Sequence, residues 1–102
     1  MGKNRDRESL IRFIVITIVH EIVLANTNRQ ESEHFLNSEV IEYRSQTEKT
    51  AGEHIWNEYD KKYIEEESFE KIKEKLAVKY SDVKYSSEEV AKRLKEMIKE
   101  IF

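Results

Sequence analysis

The chain has 102 residues, a net charge of −3, no cysteine, no proline and only two glycines, Gly2 and Gly52. A chain of this length suits one domain that buries roughly two-thirds of its unfolded surface. The lack of cysteine excludes disulfides, thiolate nucleophiles and cysteine-ligated zinc. Residues that build β-turns are nearly missing, whereas Glu and Lys, which favour helices, are abundant. The expected fold is therefore all-α: a single-domain helical bundle of four to five helices around an apolar N-terminal helix.

Charge is unevenly spread. Residues 1–12 carry Lys3, Arg5, Arg7 and Arg12 against Asp6 and Glu8, while residues 13–64 hold nine acids and five bases, and residues 65–102 ten acids and nine bases. No extended basic field exists to draw the chain onto nucleic acid or an anionic membrane. The exception is the start of the chain, so residues 1–9 read as a basic N-terminal arm and 10–102 as the bundle domain.

The first element is the apolar run from Leu10 to Ala25, interrupted by Arg12, Thr17, His20 and Glu21. Ile11, Ile14, Val15, Ile18, Val19, Ile22 and Ala25 form a helical stripe, and Phe13, Ile16, Val23 and Leu24 cover much of the remaining circumference. Ile14-Val15-Ile16 also permits a buried strand, but the run exceeds the ~4–8 residues usual for one. A basic start followed by an apolar stretch has the outline of a signal peptide ending at Val23-Leu24-Ala25; His20-Glu21 just before that point fits the outline poorly. The run is short for a membrane span, which takes about 20 apolar residues, and it holds Arg12 and Glu21. No membrane association is expected, and the cytoplasm is the expected location. Asn26-Thr27-Asn28 ends the run, with Thr27 and Gln30 at capping-box spacing.

From about Arg29, Leu36, Val40, Tyr43, Thr47, Ala51, Ile55, Tyr59 and Tyr63 recur at intervals of three or four. Either one long helix spans residues 29–64, or two meet at Gly52 as a C-cap or hinge; a break or kink is preferred. Phe69, Ile72, Leu76 and Tyr80 make a third stripe. A fourth segment opens at Ser86, with Glu89 at capping-box spacing, and carries Val90, Leu94, Met97 and Ile101.

Three sets of residues bear on function. Each histidine adjoins a glutamate (His20-Glu21, Glu33-His34, Glu53-His54), and Glu31-x-x-His34 has the spacing that di-iron bundles use. A second such motif is missing, and neighbours on a helix point about 100° apart. No metal, cofactor or catalytic residue is therefore expected, although His20 should be partly buried. Glu39-x-x-Glu42 and Glu67-x-x-Glu70 could hold Mg²⁺. That spacing resembles the all-α nucleotide pyrophosphohydrolases, which would imply metal-dependent hydrolysis of a nucleotide. The family's acidic partner Asp is lacking and Glu39 and Glu42 lie off the apolar stripe, so a solvated face explains them better.

Lys3, Arg5, Arg7 and Arg12 are the candidate phosphate contacts of a nucleic-acid binder. Ser86–Leu94 reads like the opening of a helix-turn-helix, but no turn and recognition helix follow it. The aromatic and apolar residues Trp56, Tyr59, Tyr63, Met97, Ile101 and Phe102 are the candidate interface, because Trp and Tyr are the residues interface hot spots favour. The expected function is a non-catalytic protein–protein interaction or assembly module acting as a homodimer, with another protein as a further possible partner. The alternatives are a small DNA- or RNA-binding regulator using the arm, and a metal-dependent Glu/His helical-bundle enzyme.

Overall fold

The computed structural model describes residues 2–26 and 30–102 except 82, with the side chains of residues 30–37 outside that description. Four helices account for nearly all of it: α1 (Gly2–Ala25), α2 (Gln30–Gly52), α3 (Glu58–Lys79) and α4 (Ser87–Ile101). There is no strand among the described residues, and Ile14-Val15-Ile16 is helical. The long-range burial of α1 overrides the local β preference of those residues, as tertiary context commonly does. Thr27 lies outside the described residues, as do the side chains of Gln30, Glu31 and His34.

One boundary differs from expectation and one agrees with it. Residues 2–9, read as an arm, are continuous with α1. Gly52 is the last residue of α2, so the stripe that runs through Ile55 to Tyr63 is divided between two helices. Tyr59 and Tyr63 belong to the same helix as Phe69, Ile72 and Leu76, which leaves four helices rather than five.

Leu10, Ile11, Ile14, Val15, Ile18, Val19, Ile22 and Val23 of α1 are buried with Ile64, Ile72 and Leu76 of α3 and Val90, Leu94 and Met97 of α4. Each large side chain removed from water contributes roughly 1.5–3 kcal/mol. Two buried threonines are satisfied within their own helices: Thr17 donates to the Phe13 carbonyl at 2.8 Å and Thr47 to the Tyr43 carbonyl at 2.7 Å. This back-bonding lets a polar residue sit in the core without an unpaired hydroxyl.

Contacts between termini set the helix directions. Asp6 meets His54 and Glu21 meets Arg44, so α1 and α2 are antiparallel. Lys3 meets Asp60, and Val19 and Lys79 line one pocket, so α1 and α3 are parallel. Asn26 reaches Glu89 at the start of α4, so α1 and α4 are antiparallel. α1 and α4 each pack closely on all three other helices, whereas no described Cα of α2 lies within 8 Å of one in α3. The α2–α3 linker must then cross the end of the bundle between opposite corners, over the N-terminus of α1.

Candidate functional site

The linker crossing brings the start of α1, residues 53–57 and the C-terminus together. Asn57 begins α3 by accepting the Asp60 N–H on its side-chain oxygen at 2.7 Å. That cap holds Asp60 where the Lys3 ammonium at 2.9 Å and the Arg7 guanidinium at 3.5 Å reach its carboxylate. The Lys3 hydrogen bond, followed by lesser contributions from the Lys3 charge, the Asn57 backbone and Arg7, holds the Asp60 carboxyl below the ordinary carboxylate range against the opposing effect of burial.

Arg7 also lies 4.2 Å over the Tyr63 ring, whose hydroxyl donates to Glu8 at 3.4 Å. The Glu8 charge, with burial and Glu67, pushes the Tyr63 phenol up. Of the four cations put forward as phosphate contacts, Lys3 and Arg7 are thus engaged within the fold. Arg5 and Arg12 remain exposed, Arg12 lying 5.4 Å over Phe13.

Beside this cluster, Asp6, Glu53 and His54 each place one donor atom within 4.8 Å of the others. The expectation that Glu53 and His54 diverge assumed a helix. Both residues lie past Gly52, where the Glu53 N–H bonds to the Thr50 carbonyl at 3.2 Å and the chain turns. His54 pairs with Asp6 through Nε2. Its ring is held edge-on to Trp56 at 5.4 Å, and its Cε1 lies about 4.0 Å from where a Cβ on Gly2 would stand.

The six interface candidates separate. Trp56 is 6% exposed and Met97 2%, so both are core residues of their own chain. Tyr63, Ile101 and Phe102 are half-buried against that core, with Phe102 6.1 Å from Trp56. Tyr59 is 72% exposed, and so is a residue sequence reasoning placed in the stripe instead: Ile55, at 93%. The stripe extrapolates a helical period past Gly52, but residues 55–57 are not helical, and Ile55 turns outward while its neighbour Trp56 turns inward.

The remaining sequence candidates are dispersed. His20 borders a pocket of about 180 Å³ with Glu39, Tyr43, Lys75, Lys79 and Tyr80. Its Nδ1 is buried without a hydrogen-bond partner, and burial, reinforced by Lys79 and Lys75 and opposed by Glu39, lowers its pKa. Glu39 and Glu42 serve separate surroundings, as Glu42 accepts from Gln46 at 3.5 Å. Glu70 pairs with Lys73 at 3.6 Å. A second groove of about 510 Å³ runs between α1 and α3, floored by Ile11, Val15 and the exposed Val78 and rimmed by Glu8, Arg12, Lys71, Glu74 and Lys75.

No family model, curated protein or solved structure matches the chain. No helix among the described residues is long and apolar enough to cross a membrane.

Proposed function

We propose that the protein is a non-catalytic helical interaction module that pairs with a second copy of itself. The observation that supports this reading is the exposure of Ile55 and Tyr59, 93% and 72%, on the corner where the α2–α3 linker meets α3. An isoleucine held out by a linker whose Trp56 is buried adds nothing to its own core. The same corner on a second copy offers the matching apolar surface, as a two-fold interface requires. Half-buried Phe102, tied to this linker by Trp56, extends the surface. Trp56 and Met97 support it from inside rather than touching the partner.

A nucleic-acid role is less well supported, since Lys3 and Arg7 are already paired with Asp60 within the fold. The paired-carboxylate enzyme reading is also weakened, because Glu42 and Glu70 have separate partners. The cytoplasm goes with the proposed role on the cysteine-free composition alone.

Sedimentation equilibrium at micromolar concentration tests the reading. It should return twice the 12.3 kDa chain mass, and a combined Ile55→Ser, Tyr59→Ser variant should shift to monomer with its helical circular dichroism intact. A monomeric wild-type chain, or a dimer indifferent to both substitutions, would rule it out. A mobility shift of duplex DNA or single-stranded RNA at low salt, lost in an Arg5→Ala, Arg12→Ala variant, would favour the regulator instead.

A further inference from the structure

We propose that Asp6, Glu53 and His54 form a divalent-cation site of the zinc class that clamps the start of α1 to the α2–α3 linker. A hydrogen bond between His54 and Asp6 accounts for two of these side chains but not for the third. Asp6 and Glu53 bring two carboxylates to within 4.8 Å of each other and of one imidazole. Like charges so placed repel unless a cation lies between them. Of the three α1 cations nearest Asp6 in sequence, Lys3 and Arg7 are turned to Asp60 and Arg5 is exposed.

The donor set itself selects the ion. One imidazole nitrogen with two carboxylate oxygens suits zinc and its neighbours better than Mg²⁺ or Ca²⁺, which take oxygen ligands. With bonds of about 2.0–2.2 Å, tetrahedral ligand atoms stand about 3.4 Å apart, so the hydrogen-bonded Asp6–His54 pair opens to admit the ion while Glu53, within 4.8 Å, closes on it. Glu53 is exposed and free to rotate inward, and the carboxylate of Asp6 already touches His54. The His54 ring, edge-on to Trp56, already directs Nε2 toward Asp6 and needs no reorientation. Three protein donors leave a fourth position to water. Asp6 and His54 are 48 positions apart, so an ion bound by both adds a tie to a junction otherwise held by their hydrogen bond, the packing of Trp56 and the pairing of Lys3 and Arg7 with Asp60.

Isothermal titration of Zn²⁺ into the untagged full chain tests the site. The expected result is saturable binding of one Zn²⁺ per chain, with a rise in melting temperature on addition of the ion. His54→Gln should abolish binding, Glu53→Gln should weaken it at least tenfold, and His20→Gln and His34→Gln should leave it unchanged. Because the Glu53 side chain is exposed, its variant decides the matter even if His54→Gln fails to fold. Absence of saturable binding at micromolar Zn²⁺ would overturn the proposal. So would retention of wild-type affinity in Glu53→Gln, or loss of binding through His20 or His34. These readings are per chain and do not depend on whether the protein dimerises.

Discussion

The indole N–H of Trp56 donates to the Ala51 carbonyl at 2.8 Å, closing the chain back on itself across the end of α2. Ala51 belongs to the last turn of the helix, where carbonyls lack intrahelical partners. One buried side chain therefore satisfies its own polar atom, satisfies a helix end and starts the linker toward α3. Replacing Trp56 with Ala should cost about 3–5 kcal/mol through cavity formation, and Trp56→Phe about 1 kcal/mol or somewhat more through the unpaired carbonyl. Urea denaturation of the two variants measures the difference.

Ile18 is fully buried in the middle of α1. Introducing a carboxylate there leaves a charge with no partner, a penalty that can consume the ~5–15 kcal/mol by which a domain is stable. Ile18→Asp should lose its cooperative thermal transition by circular dichroism, whereas Ile18→Val should keep it with a loss of about 1 kcal/mol.

Arg44 bridges two helices, with one guanidinium nitrogen 2.6 Å from Glu21 on α1 and the other 2.6 Å from Glu100 on α4. The Glu21 hydrogen bond is the larger of the influences that raise its pKa, and Arg93 adds a second cation to Glu21 at 3.8 Å. Partly exposed pairs contribute little singly, so Arg44→Ala should cost about 1 kcal/mol, and the cost should shrink in high salt. A double-mutant cycle with Glu21→Gln isolates the pair.

Two side-chain caps offer cleaner local tests. Asn57 caps α3, and Ser86 caps α4 by accepting the Glu89 N–H at 3.1 Å. Each cap replaced by Ala should lose about 1 kcal/mol. Asn57→Ala should in addition loosen Lys3 and Arg7 from Asp60, read as a change in the titration of Asp60 by NMR.

His20 and Asp60 give acid dependences in separate windows. Burial lowers the His20 pKa from its usual 6.5, with Glu39 on α2 opposing and Lys75 and Lys79 on α3 reinforcing. The unfolded chain then takes up the proton first, so stability declines as pH falls from about 6.5 through the folded pKa. His20→Gln should flatten that part of the profile. The Asp60 carboxyl is held below its usual 3.8, so its contribution is complete above that value and is lost as pH falls through the folded pKa. Asp60→Asn should remove this lower limb while leaving the upper one, as followed by melting temperature against pH.

Local pattern and composition were enough to indicate helices, the apolar run from Leu10 to Ala25, whose stripe is buried except at Ala25, the cap of α4 at Ser86 and the chemistries that an absence of cysteine removes. Each of these rests on residues a few positions apart, where helical period and capping act directly. The sequence also marked Gly52 as a possible break, yet it could not say that Ile55 turns to solvent while Trp56 turns to the core. That division follows from the linker crossing between opposite corners of the bundle. The same crossing sets Asp6 against His54 and commits Lys3 to Asp60, pairs separated by about half the chain. Helical period carries no information over such distances, because the partners are chosen by how α1 packs on α2 and α3, and the packing free energy belongs to the assembled core rather than to any one segment.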